Sequence, residues 1–181
     1  MRNIVYYVAV SLDGFIAGPE DDISGFVTGG PAVDQYLNDL KAFDTAIMGR
    51  KTYEFGYKFG LKPGGPAYPH MKHYIFSNSL QLDKRAATIV IHPIDINIIK
   101  KLKAENSSDI YLCGGGEFAG WLLDNEMIDF LKIKLNPLIL GSGIKLFGSS
   151  KKKISTELVD IKSYNQGLQI INYRLNYKRD G

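Results

Sequence analysis

The chain has one cysteine, Cys113, in 181 residues. No internal disulfide can form, and a reducing compartment is the natural setting. At the end of a strand-like run, Cys113 itself reads as a small buried thiol rather than a nucleophile. No apolar stretch approaches the ~20 residues needed to cross a bilayer. The run from Met1 to Asp13 lacks the long apolar core and cleavage-like site of a signal peptide, so the expectation is a cytoplasmic protein with no membrane partner. Charge of one sign is scarce too: 22 basic against 19 acidic residues leave +3, and the one basic cluster, Lys151-Lys152-Lys153, is short. That balance excludes a nucleic-acid footprint. His70, His73 and His92 lack metal-ligand spacing and read as surface or strand-end residues. Gly-x-Gly-x-x-Gly is absent, which excludes the ordinary Rossmann fingerprint. No repeat, low-complexity run or linker divides residues 1–181, so one domain is expected.

What is present alternates. Ile4 to Val10 is continuously apolar, as in a strand covered on both faces of a parallel sheet. Phe15 to Gly30 is rich in Gly, Asp and Pro and reads as a long loop. Pro31 opens a helix with an apolar stripe of Val33, Tyr36, Leu37 and Leu40, and Asp34 lies at its border. Thr45 to Met48 is a short buried strand, Lys51 to Tyr57 a short helix, and Gly60 to Pro69 a surface loop. Tyr74 to Phe76 and Thr88 to Ile91 are further core strands, and Asp95 caps a helix carrying Ile98, Ile99 and Leu102. Ile110 to Leu112 precedes a helix with an inward stripe of Phe118, Trp121 and Leu122. This order predicts an α/β fold with a mostly parallel central sheet flanked by helices. Near the end, Leu131, Ile133 and Leu135 alternate with Lys132 and Lys134 as in a half-exposed strand. Leu158 to Tyr164 and Leu168 to Tyr177, joined at Asn165-Gln166-Gly167, predict a C-terminal antiparallel hairpin on one edge.

Two glycine-rich junctions, Met48-Gly49-Arg50-Lys51-Thr52 and Cys113-Gly114-Gly115-Gly116-Glu117, each join a strand-like run to a helix-like one. The first N–H groups of a helix have no internal partner and lie at the positive end of its dipole, so such a junction accepts a phosphate. Two cradles suit a ligand with separated phosphates, and a dinucleotide fits that description. Arg50 at a helix start opposes the dipole, which favours a functional reading.

Ala46 to Glu54 and Tyr111 to Glu117 resemble the two cofactor motifs of the dihydrofolate reductase superfamily, and Tyr74-Ile75-Phe76-Ser77-Asn78 matches in type and order. Ser11 to Ala17 and the stretch Leu122 to Phe147, with Asn136-Pro137-Leu138-Ile139-Leu140-Gly141-Ser142-Gly143, are similar to the reductase domain of the bifunctional riboflavin-pathway deaminase/reductase and its stand-alone bacterial relatives. The resemblance covers nearly the whole chain. It implies a dihydrofolate reductase-like fold, NADPH as cofactor and a homodimer. Arg50, with Ser77 and Asn78, would hold the adenosine 2′-phosphate. Gly49, Lys51 and Thr52 would hold the pyrophosphate from one side, and Gly114, Gly115, Gly116, Glu117 and Phe118 from the other, with a cis bond expected between Gly114 and Gly115. Ala9, Ile16 and Ala17 fall where relatives line the nicotinamide site.

For the substrate, Asp34 is the candidate proton donor or binder, because Pro31-Ala32-Val33-Asp34 resembles the helix start that carries the acid in dihydrofolate reductase. Asp13 is a second candidate binder, and Tyr57, Phe59 and Tyr68 are stacking candidates. Where the pathway enzyme has a glutamate before its glycine motif, this chain has Cys113. The expected activity is an NADPH-dependent reductase of a small heteroaromatic, pterin- or pyrimidine-like, or carbonyl substrate, similar to 5-amino-6-(5-phosphoribosylamino)uracil reductase. The alternatives are a true dihydrofolate reductase and a non-catalytic nucleotide-binding or sensing protein.

Overall fold

The computed structural model describes residues 1–177. Six parallel strands form most of one sheet: β1 (Ile4–Val10), β3 (Thr45–Gly49), β4 (Lys72–Phe76), β5 (Ile89–His92), β6 (Ile110–Gly114) and β7 (Phe130–Leu135). Two more, β9 (Ser155–Ser163) and β10 (Gln169–Asn176), complete it in the order β5-β4-β3-β6-β1-β7-β10-β9. β10 runs antiparallel to both β7 and β9, so the expected hairpin forms the edge. The helices are α1 (Pro31–Leu40), α2 (Arg50–Phe55), α3 (Ile96–Ala104) and α4 (Gly116–Asp124).

Alternation along β1 divides its side chains between two cores. Ile4 and Tyr6 join Ile99 and Leu102 of α3 and Phe118 and Leu122 of α4 on one face. Val5 and Tyr7 join Leu40 of α1, Tyr53 of α2 and Met71 on the other. Both faces of the central strands are therefore covered, which is why β1, β3 and β6 read as unbroken apolar runs. Asp95 caps α3 as expected, accepting from the Asn97 amide at 2.8 Å.

Three expectations need correction. The stretch Phe15 to Gly30 is not structureless: β2 (Phe15–Ala17) pairs antiparallel with β8 (Ile144–Lys145), a partner too distant in sequence to be read locally. In α1 the buried positions are Ala32 and Leu40, while Leu37 is 52% exposed. The helix is turned from the predicted stripe because Asp39 is held by the Tyr7 hydroxyl at 3.0 Å and the Lys132 ammonium at 2.7 Å. Finally, β7 is not half-exposed on its lysine side, since Lys134 is 8% exposed.

Candidate functional site

β3 and β6 are neighbouring parallel strands with Met48 opposite Gly114, so the two glycine junctions emerge side by side at the carboxyl ends of central strands. Ser77 follows β4 on one flank, and Ala9 and Lys134, paired across β1 and β7, lie on the other. A cleft of about 1530 Å³ opens along these carboxyl ends, the usual ligand position in open α/β sheets. The junctions also touch. A Cβ built on Gly115 would stand 2.9 Å from the Thr52 hydroxyl, and one on Gly116 would run into the Lys145 carbonyl oxygen. Only glycine allows backbone this close. Neither Gly49 before α2 nor Gly115 before α4 provides a side-chain cap, so each first turn keeps N–H groups for a ligand. The Gly114–Gly115 peptide is cis, as expected.

Arg50 lies across the outer end of the cleft. Its Nε donates to Glu54 at 2.9 Å and a terminal nitrogen donates to the Ser79 hydroxyl at 2.8 Å. The Ser77 hydroxyl accepts from the amides of Ser79 and Leu80, and Asn78 accepts from the Ile94 amide, so these two shape the turn that presents Ser79. At the second junction Glu117 accepts from the Ser149 hydroxyl at 2.7 Å. Phe118 stacks between Phe76, at 5.2 Å, and Trp121, at 5.7 Å.

The inner end is lined by phenols. The Tyr36 and Tyr111 hydroxyls share a hydrogen bond of 2.6 Å, the Tyr68 hydroxyl meets the Cys113 sulfur at 3.7 Å, and Tyr7 packs edge-on to Tyr36 at 4.9 Å. Burial raises the pKa of all of them, Tyr36 to about 12, and raises that of the Cys113 thiol. These groups are neutral around pH 7. The Lys134 ammonium sits 5.0 Å above the Tyr36 ring.

Ala9, Ile16, Ala17, Gly49, Arg50, Lys51, Thr52, Ser77, Asn78, Gly115, Gly116, Glu117, Phe118 and Phe59 all line the cleft, and Tyr68 does so at its inner end. Gly114, Tyr57, Asp13 and Asp34 do not. Asp34 is exposed on the outer side of α1, one consequence of that helix's rotation. Asp13 is a clamp: it accepts from the Ser11 hydroxyl at 2.7 Å and from the amides of Leu140 and Gly141 at 3.1 and 2.7 Å, tying the turn after β1 to the loop after β7. Those hydrogen bonds, that of Ser11 foremost, hold its pKa down to about 2. Tyr57 packs edge-on to Tyr53 at 5.6 Å. Sequence reasoning missed Tyr36, Tyr111, Ser79 and Lys134 as cleft residues. A lysine in a strand between apolar neighbours carries no local signal of what covers it, whereas Ser79, two positions beyond Ser77, lay within reach of the motif. His73 is a further correction: it is fully buried in β4, accepting from the Tyr68 amide through Nε2 at 3.1 Å and donating from Nδ1 to the Met71 carbonyl at 3.1 Å.

A family model described as the RibD C-terminal domain matches residues 2–170. The uncharacterized protein YwjB of Bacillus subtilis (strain 168) is 31% identical over 174 residues, covering 93% of this chain and 96% of that one. Among solved structures, a Shewanella sp. PV-4 protein provisionally assigned to riboflavin biosynthesis superposes with a TM-score of 0.77 at 24% identity, covering 98% of this chain and all of that one. The Enterococcus faecalis dihydrofolate reductase, complexed with NADP(H), superposes with a TM-score of 0.62 at 15% identity over 97% of both chains. The fold is therefore dihydrofolate reductase-like. With 169 consecutive positions matched in sequence and the glycine junctions, the cis peptide and the terminal hairpin where the motifs put them, this chain belongs to the RibD C-terminal domain family.

Proposed function

We propose that the protein is an NADPH-dependent reductase of a small heteroaromatic or carbonyl compound, similar to 5-amino-6-(5-phosphoribosylamino)uracil reductase, acting as one domain in a reducing compartment. The observation that carries this is the pair of uncapped helix starts in contact through Gly115 and Thr52, with Arg50 beside one of them. A Cβ at Gly115 would press on the Thr52 hydroxyl and force the two helix starts apart, and free N–H groups at two positive helix ends match the charge of a pyrophosphate. Arg50 stands where an additional phosphate on the adenosine ribose would meet a fork of N–H donors, with the Ser79 hydroxyl alongside.

When bound, a reduced nicotinamide supplies a hydride. The chain's own residues do the rest: Ala9, Ile16 and Ala17 line the cleft as small apolar contacts for the nicotinamide, and the stacked Phe76, Phe118 and Trp121 rings add an apolar surface. Tyr36, Tyr111 and Phe59 line the cleft and offer rings to a planar substrate.

The test is selectivity between nucleotides. NADPH should raise the melting temperature well above the effect of NADH, and Arg50→Ala should weaken NADPH binding about ten- to a hundredfold, the worth of one charge-assisted hydrogen bond, while leaving NADH unchanged. Equal affinity of the parent for both nucleotides ends the assignment. If NADPH binds but no pterin, quinone or carbonyl compound oxidises it, the nucleotide-sensing reading replaces the reductase.

A further inference from the structure

Among the described residues, the cleft contains one buried cation that its own protein leaves unanswered. Lys134 reaches the inner end from β7 and is 8% exposed, yet among the described residues no carboxylate and no hydrogen-bond acceptor meets its ammonium. Its nearest recorded partner is the Tyr36 ring, at 5.0 Å. The contrast with Lys132, two positions earlier on the same face, is direct: that ammonium is neutralised by Asp39 at 2.7 Å. The carboxylates that line the cleft are engaged by other partners, Asp21 facing Lys58 at 4.0 Å, Glu54 accepting from Arg50 and Glu117 accepting from Ser149. Burying an ammonium without a counter-charge costs free energy, and such a position persists where a ligand answers it.

The backbone fixes this position. Asn136, itself buried, donates to the Lys134 carbonyl oxygen at 3.0 Å and accepts from the Val27 amide at 3.0 Å, pinning the end of β7 to the loop before α1.

We propose that Lys134 anchors the substrate, and that this substrate is a planar conjugated molecule whose carbonyl or anionic oxygen rests on the Lys134 ammonium among the tyrosine rings. The proposal deepens the reductase reading and rests on it for the word substrate; the anchor itself is a binding property. Phenol faces and edges suit a flat π-system, and a lone cation selects for an electron-rich oxygen and against amidine- or ammonium-bearing rings, which need a carboxylate. Reduction of such a carbonyl places an electron pair on its oxygen. An N–H bond of the ammonium then breaks as an O–H bond forms, and the amine left behind regains its proton from water. Burial lowers the Lys134 pKa, which eases that transfer.

The probe is 4-nitrobenzoate, a flat anion that stays ionised at neutral and alkaline pH, titrated calorimetrically into the parent and Lys134→Met, with benzamidine as the cationic counterpart and NADPH titrated in parallel. The parent should bind 4-nitrobenzoate and not benzamidine, and Lys134→Met should bind it at least about tenfold more weakly with NADPH affinity kept. No uptake by the parent, or equal uptake by Lys134→Met, overturns the anchor. Loss of NADPH binding in the parent with the lysine dependence intact instead overturns the cofactor reading alone.

Should Lys134→Met not fold, a pH series on the parent decides. The surrounding titratable groups are Tyr7 of β1, Tyr36 and Asp39 of α1, Lys132 of β7, Tyr111 and Cys113 of β6 and Tyr68; the phenols are held up by burial, and Asp39 is held ionised with Lys132. Affinity should fall as pH rises toward 10.5, the ordinary value below which Lys134 lies. A flat profile over that range overturns the proposal.

Discussion

His73 and Arg2 show how single residues set the conditions under which this cleft exists. His73 is buried with both ring nitrogens committed, and burial is the chief cause that takes its pKa from 6.5 to about 4. The unfolded chain therefore binds a proton that the folded one refuses, and stability should decline as pH falls from 6.5 to about 4. Urea midpoints across that window should show the decline, and His73→Gln should flatten it. A parent whose midpoint does not change there would remove His73 as the cause. Arg2 is buried against the Ser108 carbonyl at 2.5 Å, Asp44 at 2.6 Å, Thr45 at 2.7 Å and Glu105 at 2.9 Å. Arg2→Ala removes a buried guanidinium from the Ser108 carbonyl and Thr45 hydroxyl and from two half-exposed carboxylates, and should cost about 1 to 3 kcal/mol in chemical denaturation. The role of Arg2 could not be read from its neighbours in sequence, because every side-chain partner is at least 42 positions away.

Among the elements, the two strand-to-helix junctions were legible and the helix faces were less so. Glycine, a β-branched or apolar run before it and a helix former after it specify a junction locally, so Gly49 and Gly114 to Gly116 were placed correctly. The face a short helix presents is decided by contacts: α1 turns Tyr36 inward and Asp34 outward because Asp39 meets Tyr7 and Lys132 across the sheet. Gly116→Ala tests the junction as a packed unit. Its methyl would collide with the Lys145 backbone, so a loss of about 1 to 3 kcal/mol and of the NADPH-induced rise in melting temperature is expected. Gly29→Ala meets nothing within 4 Å and should stay within about 0.5 kcal/mol of the parent. Equal tolerance of both substitutions would show that the close approach at α4 is not required.

For the whole molecule, the outer edge of the sheet bears on assembly. β9 is exposed along its length, with Leu158 at 53% and Val159 and Ile161 at 48%. A long edge strand with apolar side chains invites pairing with another chain, and we propose that a second copy covers it in a homodimer. Sedimentation should give twice 20.2 kDa for the parent and 20.2 kDa for Leu158→Lys/Ile161→Lys, with the melting transition of the monomer still cooperative. A parent that sediments as a monomer at micromolar concentration removes the dimer.

The amino-acid sequence alone determined the alternation of strands and helices, the two anion-ready junctions and the terminal hairpin, since each rests on local periodicity, glycine placement and the chemistry of helix starts. Only the tertiary structure decided that β3 and β6 adjoin, so that two separate cradles become one cleft, and that Lys134 faces into that cleft while Asp34 faces away. A period of two says which side chains share a face of a strand; what covers that face depends on chain segments a hundred residues distant, here α1 lying across β7.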